Sequence, residues 1–131
     1  MSKKIVITGG CGFIGSHLVE PLSESNEVIA FDRYNSESDH YWLTNSKFKD
    51  RFSVILGDIR DYDSVQSVLK GADVVIHMAA LIGIPYSYVS PLAYIRTNVE
   101  GTYNVLQASK ELELDQVMIT STSETYGTAQ Y

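Results

Sequence analysis

Five short runs rich in β-branched residues recur along the chain, at 4–8 (KIVIT), 27–31 (EVIAF), 53–56 (SVIL), 73–77 (DVVIH) and 116–120 (QVMIT). Several are apolar at consecutive positions rather than alternating, the pattern of strands buried on both faces. Longer helical patterns separate them, which predicts a parallel sheet flanked by helices. The first helix, 13–24, places Ile14, Leu18 and Leu22 on one face, with Pro21 shortening its last turn. A weakly patterned second helix is expected at 39–47. A third, 62–70, starts from Asp61 as N-cap and turns Val65, Val68 and Leu69 inward. The fourth, 90–111, opens on Pro91 and repeats Leu92, Ile95, Val99, Thr102, Leu106 and Ser109 at steps of three and four, a stripe expected to face the sheet. Right-handed crossovers then give an α/β, doubly wound sheet of five strands in the order 3-2-1-4-5. Ligands are expected at the carboxyl ends of the first and fourth strands.

The 131 residues suit one domain, 1–131. With 10 Lys and Arg against 16 Asp and Glu, a net charge of −6 argues against a nucleic-acid surface. No apolar run approaches the roughly 20 residues needed to cross a bilayer, and no signal peptide is visible. A single cysteine, Cys11, suits a reducing compartment, so a cytoplasmic protein is expected. His17, His40 and His77 lack metal-ligand spacing, and no metal is assigned.

The first strand runs into Thr8-Gly9-Gly10-Cys11-Gly12-Phe13-Ile14-Gly15. Gly9, Gly12 and Gly15 form a G-x-x-G-x-x-G variant of the dinucleotide fingerprint. Such a turn needs a residue free to take positive φ, a backbone bare enough to approach a pyrophosphate, and close packing of helix on strand. The helix start offers unpaired N–H groups and partial positive charge to the phosphates. Asp32 ends the second strand 23 residues after Gly9. A carboxylate there can accept from both ribose hydroxyls and repels a 2′-phosphate, favouring NAD; Arg33 beside it could shield such a phosphate. Asp58 is read either as reaching the adenine amino group, with Ile59 covering the ring, or as a cap, a role Asp61 shares. Cys11 has no adjacent base and reads as a small tolerated residue. His77 reads as a packed strand histidine.

These motifs, together with Gly57-Asp58-Ile59, His77-Met78-Ala79-Ala80 and Thr120-Ser121-Thr122-Ser123-Glu124-Thr125-Tyr126-Gly127, occur in order along the chain. The sequence resembles the N-terminal half of an extended short-chain dehydrogenase/reductase, a Rossmann enzyme of the NAD-dependent epimerase/dehydratase family. Residues 80–88 and 123–131 are similar to UDP-N-acetylglucosamine 4,6-dehydratases of the legionaminic-acid type. The resemblance implies NAD as cofactor and a nucleotide sugar, such as a UDP-sugar, as substrate. It implies transient oxidation at C4, loss of water across C5 and C6, and hydride return at C6. Thr122 would hydrogen-bond the C4 oxygen and Glu124 would be the base at C5. Ser123 replaces an aspartate that some of these enzymes use to protonate the leaving hydroxyl, so Glu124 is expected to serve both steps. Ala79 and Ala80 would admit the cofactor, Asn98 would support the site and Gly101 would relieve crowding. Tyr86 and Ser87, read as loop residues, would touch substrate or pack on the surface.

The family's Tyr-x-x-x-Lys pair is missing: none of the nine tyrosines has a lysine four residues on. An unassisted phenol, with a pKa near ~10, is a poor base at neutral pH. The expectation is therefore a truncated domain that binds NAD without turning over sugar nucleotide. Its fourth helix is expected to expose Tyr94, Tyr103 and Val105 and to favour a homodimer or self-association. The Thr-Ser-Glu string also suits a decarboxylase; an epimerase has less need of the carboxylate. A non-catalytic dinucleotide sensor would have no chemical use for Thr122 and Glu124.

Overall fold

The structure, a computed structural model, describes residues 2–35 and 39–128. Five parallel strands, β1 (Lys4–Thr8), β2 (Glu27–Asp32), β3 (Phe52–Leu56), β4 (Val74–His77) and β5 (Gln116–Ile119), form one sheet in the order 3-2-1-4-5. The order and the strand positions match the sequence expectation. Central position explains the consecutive apolar runs: Val6, Ile7, Ala30 and Val75 are all buried completely. Because every strand runs the same way, Thr8, Asp32, Leu56, His77 and Ile119 end on one edge of the sheet.

Two cores sandwich this sheet. One joins Val6, Phe31 and Val75 to Ile59, Val65, Leu69, Val105 and Ala108. These last residues come from α2 (Tyr62–Leu69), α5 (Gly101–Glu111) and the loop before α2. The other packs Ile7, Val28 and Ala30 against Val19 of α1 (Phe13–Leu22) and against Leu43. The Asp61 carboxylate accepts from the Asp63 N–H and caps α2, and Val65, Val68 and Leu69 are buried as expected.

Three helical expectations need correction. Residues 39–47 contain no α-helix; a 3-10 turn at Tyr41–Leu43 is followed by another at Lys49–Arg51. Tyr41 takes φ 46°, the Asp39 carboxylate accepts from the Tyr41 N–H, and the Thr44 hydroxyl accepts from the His40 N–H. These local bonds replace the helical ladder. Residues 84–89 are helical (α3, Ile84–Val89), so Tyr86 and Ser87 lie on a helix rather than in a loop. The long fourth helix is composite: α4 (Pro91–Tyr94), a π-helical turn (Ile95–Glu100) and α5. Its buried face is Gly101, Asn104, Val105, Ala108 and Ser109. Leu92, Ile95, Val99 and Leu106, expected against the sheet, are exposed, and Val105, expected outside, is fully buried. Among the described residues no helix is long and apolar enough to cross a membrane.

Candidate functional site

The glycine segment leaves β1 through a tight turn. Gly9 takes φ +70°, and a Cβ there would stand 2.9 Å from the Ala79 amide nitrogen. A Cβ on Gly15 would run into the Gly9 carbonyl oxygen. The turn is pinned by Gly9 N–H donating to the Phe31 carbonyl at 2.8 Å and Gly12 N–H to the Gly9 carbonyl at 3.1 Å. Gly12 precedes α1, and no side chain caps the helix. Its first N–H groups, on Phe13, Ile14 and Gly15, therefore have no intrahelical acceptor and point beyond the sheet edge with the helix dipole behind them. A bare backbone, a missing cap and unpaired donors make an anion cradle.

Asp32 stands beside this cradle. One carboxylate oxygen accepts from the Cys11 N–H at 2.9 Å and the other from the Arg33 N–H at 2.8 Å. The carboxylate is thus held between the glycine turn and the end of β2, half-buried, with lone pairs left for hydroxyl donors. Cys11 is fully buried, and burial, with Asp32 and Asp39 nearby, pushes its thiol up to about 12. That thiol is no nucleophile at neutral pH. Asp58 neither caps α2 nor stands free. It accepts from the Arg60 N–H at 2.9 Å and takes the Arg60 guanidinium on both oxygens. Arg60, aided by Arg33, holds its carboxyl below the usual range. Ile59 departs from expectation too: it is 6% exposed and belongs to the core. A Cβ on Gly101 would stand 2.6 Å from its Cδ1, so the glycine does relieve crowding and the Ile59 side chain is packing rather than a lid on a ring.

The end of β4 forms the opposite wall. The Thr8 hydroxyl accepts from the N–H groups of Met78 and Ala79 at 3.1 and 3.2 Å. Ala79 is half-buried and Ala80 exposed. Asn98, in the π-helical turn, grips the Leu81 backbone at both ends: its amide donates to the Leu81 carbonyl and its oxygen accepts from the Leu81 N–H, each at 2.9 Å. A π-turn is a common way to aim one side chain out of a helical ladder. Tyr86 is exposed and lies 6.1 Å, ring to ring, from Tyr94, whose hydroxyl donates to the Gly83 carbonyl. The Ser87 hydroxyl donates to the Ile84 carbonyl, inside its own helix.

Past β5, Thr122, Ser123 and Glu124 are all exposed. The Thr122 hydroxyl accepts from the Glu124 N–H at 3.2 Å and opens a 3-10 turn, Ser123–Tyr126. Parallel topology sets these residues on the same sheet edge as the glycine turn, next to β4. Residues 129–131, the end of the second stretch of closer likeness, lie outside the described residues. Sequence reasoning missed one member of this edge, Trp42, and for His77, read correctly as a packed strand histidine, it missed the partners that hold the ring. Trp42 packs 5.0 Å, ring to ring, from Phe13 and its backbone N–H donates to the Cys11 carbonyl, so it covers the turn. His77 bridges Thr8 and Thr102. Nothing in the sequence near Trp42 announces that packing, whereas equal depth of Thr8 and His77 in adjacent strands could have flagged their contact.

The model of the GDP-mannose 4,6 dehydratase family matches residues 6–131. The chain belongs to that family. A UDP-N-acetyl-alpha-D-glucosaminuronate decarboxylase of Bacillus cytotoxicus is 34% identical over 131 residues, covering 97% of this chain and 39% of the relative. The dTDP-glucose 4,6-dehydratase DesIV of Streptomyces venezuelae, solved with NAD and TYD bound, superposes with a TM-score of 0.85 at 31% identity, over 98% of this chain and 42% of that one. A UDP-N-acetylglucosamine 4-epimerase of Methanobrevibacter ruminantium M1, in complex with UDP-N-acetylmuramic acid, gives 0.83 at 33% identity, over 98% and 41%. The chain thus spans about two-fifths of the length of these relatives.

Proposed function

We propose that residues 1–131 form the NAD-binding portion of a nucleotide-sugar 4,6-dehydratase. The observation that carries this is the uncapped start of α1, entered through a turn too tight for a side chain at Gly9 or Gly15, with Asp32 fixed 2.9 Å from the Cys11 N–H. Phe13, Ile14 and Gly15 N–H groups would hold the diphosphate, and Asp32 the adenosine ribose. That carboxylate, repelling a 2′-phosphate, selects NAD over NADP, and the NAD bound in DesIV supports the choice. Arg33 and Arg60, gathered around Asp58, would border the adenine end. Ala79 and Ala80 leave space at the nicotinamide end, held there by Asn98 through Leu81. Bound NAD supplies a reversible hydride sink.

The chain's own acid–base groups lie beyond β5. Thr122 would donate its hydroxyl to the sugar C4 oxygen, and Glu124 would take the C5 proton and return it to the departing C6 hydroxyl. Ser123 supplies no second carboxylate, so one group carries both transfers. Tyr86 and Ser87, on α3, would border the sugar nucleotide, a UDP-sugar by likeness to relatives. Decarboxylation is the second reading, favoured by the Bacillus cytotoxicus relative.

Joining residues 1–131 to the remaining part of a dTDP-glucose 4,6-dehydratase tests the assignment. The chimera should form a 4-keto-6-deoxy sugar nucleotide, and Glu124→Gln should lower the rate at least about a hundredfold. A folded, NAD-binding chimera indifferent to Glu124→Gln refutes the role of Glu124. Release of carbon dioxide from a uronic acid nucleotide, with no dehydration, favours the decarboxylase.

A further inference from the structure

His77 is 3% exposed and joins three walls of the site. Its Nδ1 lies 2.7 Å from the Thr8 hydroxyl and its Nε2 3.0 Å from the Thr102 hydroxyl. Proton counting settles the direction of each bond. The Thr102 hydroxyl spends its only proton on the Asn98 carbonyl, at 2.8 Å. Toward His77 it can only accept, so Nε2 carries a proton. The Thr8 hydroxyl oxygen already accepts from the Ala79 N–H and shares the Met78 N–H with the Thr8 carbonyl. Its own proton must therefore go to a bare Nδ1. The network closes with each group satisfied, and it closes only for the neutral ring. A second proton on Nδ1 would face an oxygen already engaged by two N–H groups, and would strand the Thr8 proton.

We propose that His77, as its Nε2–H tautomer, is a positioning residue that locks the glycine turn and the end of β4 to the helix carrying Asn98. Thr8 immediately precedes Gly9, whose Cα has no room for a side chain against Ala79. Thr102 lies one helical turn after Asn98, which holds Leu81. The ring thus fixes the separation of the two walls between which the dinucleotide would lie; this role rests on the NAD-binding reading above.

Charged groups on the elements packed against the ring do not hold it. On β1, Lys4 sits at the far end, near Glu27. On the π-helical turn and α5, Arg96, Glu100, Lys110 and Glu111 are exposed, and β5 has none. Burial alone keeps the imidazole below its ordinary value.

Long-range proton–nitrogen spectra of the ¹⁵N-labelled 131-residue chain at pH 7, with His77 assigned by loss of its signals in His77→Gln, read the tautomer directly. Protonated Nε2 with bare Nδ1 is expected; an Nδ1–H or doubly protonated ring overturns the lock whatever the chain binds. Calorimetric titration with NAD then tests positioning. Thr102→Val, leaving Nε2–H without its acceptor, should weaken NAD roughly tenfold, and Thr102→Ser should restore it. NAD affinity of the parent should stay level through neutral pH and fall once the ring protonates, below about 6.5. Parental affinity in Thr102→Val, or no rescue by serine, refutes the positioning role. A parent with the expected tautomer that binds no NAD refutes the dinucleotide reading, and with it the role, while leaving the lock itself intact.

Discussion

A single absent methyl group decides whether the turn from β1 into α1 can exist. In Gly15→Ala the new Cβ would meet the Gly9 carbonyl and approach Gly10 Cα to 2.8 Å, so the backbone cradling a diphosphate must move. We expect NAD affinity, read by calorimetry, to fall at least tenfold, about 1.4 kcal/mol. An alanine variant binding as tightly as the parent would contradict the cradle. This part of the site was legible in sequence, because glycine spacing after a β-branched run has few other uses. Asp32 was legible for the same reason: its place at the strand end follows from the length of one β-α-β unit. Asp58 and Ile59 were less so, since what each does depends on Arg60 and Gly101, one a local ion pair and the other a contact across 42 positions of sequence.

At the scale of elements, strands read well and the long helix read badly. Consecutive Val and Ile runs have one stable placement, whereas the stripe from Leu92 to Leu106 was drawn at a constant period through a segment that contains a π-turn. Leu92, Ile95, Val99 and Leu106 are exposed within and on both sides of that turn, so the stripe is continuous but faces outward. The buried face of α5 is Gly101, Asn104, Val105, Ala108 and Ser109, mostly small or polar, and a search for large apolar side chains passes over most of it. The consequence is an exposed apolar row of Leu92, Ile95, Val99, Tyr103 and Leu106. Such a row favours association of one chain with another. Sedimentation velocity should show a weight-average mass that rises with concentration, and Val99→Lys with Leu106→Lys should hold the chain at one mass. A parent chain that sediments as a monomer across the concentration range would contradict this reading of the exposed row.

For the whole molecule, two buried groups set the pH range of stability. The folded state holds His77 below its ordinary 6.5, so as pH falls through that value the unfolded chain takes up a proton that the fold refuses, and stability declines. At the other limit the Cys11 thiol is pushed from 9.0 up to about 12. Its contribution is complete below pH 9 and is lost as pH climbs from there toward 12, where the unfolded thiol ionises first. Urea unfolding across pH should therefore give a plateau between about 6.5 and 9 with a decline on each side. His77→Gln should flatten the acid side, and Cys11→Ala the alkaline side. Calorimetry of the folded chain with NAD and NADH tests most directly whether the glycine turn and Asp32 form a dinucleotide site. One saturable site per chain, weakened in Gly15→Ala, is the predicted result. Absence of heat from either nucleotide at millimolar concentration, with the circular dichroism of a folded α/β protein, would contradict it.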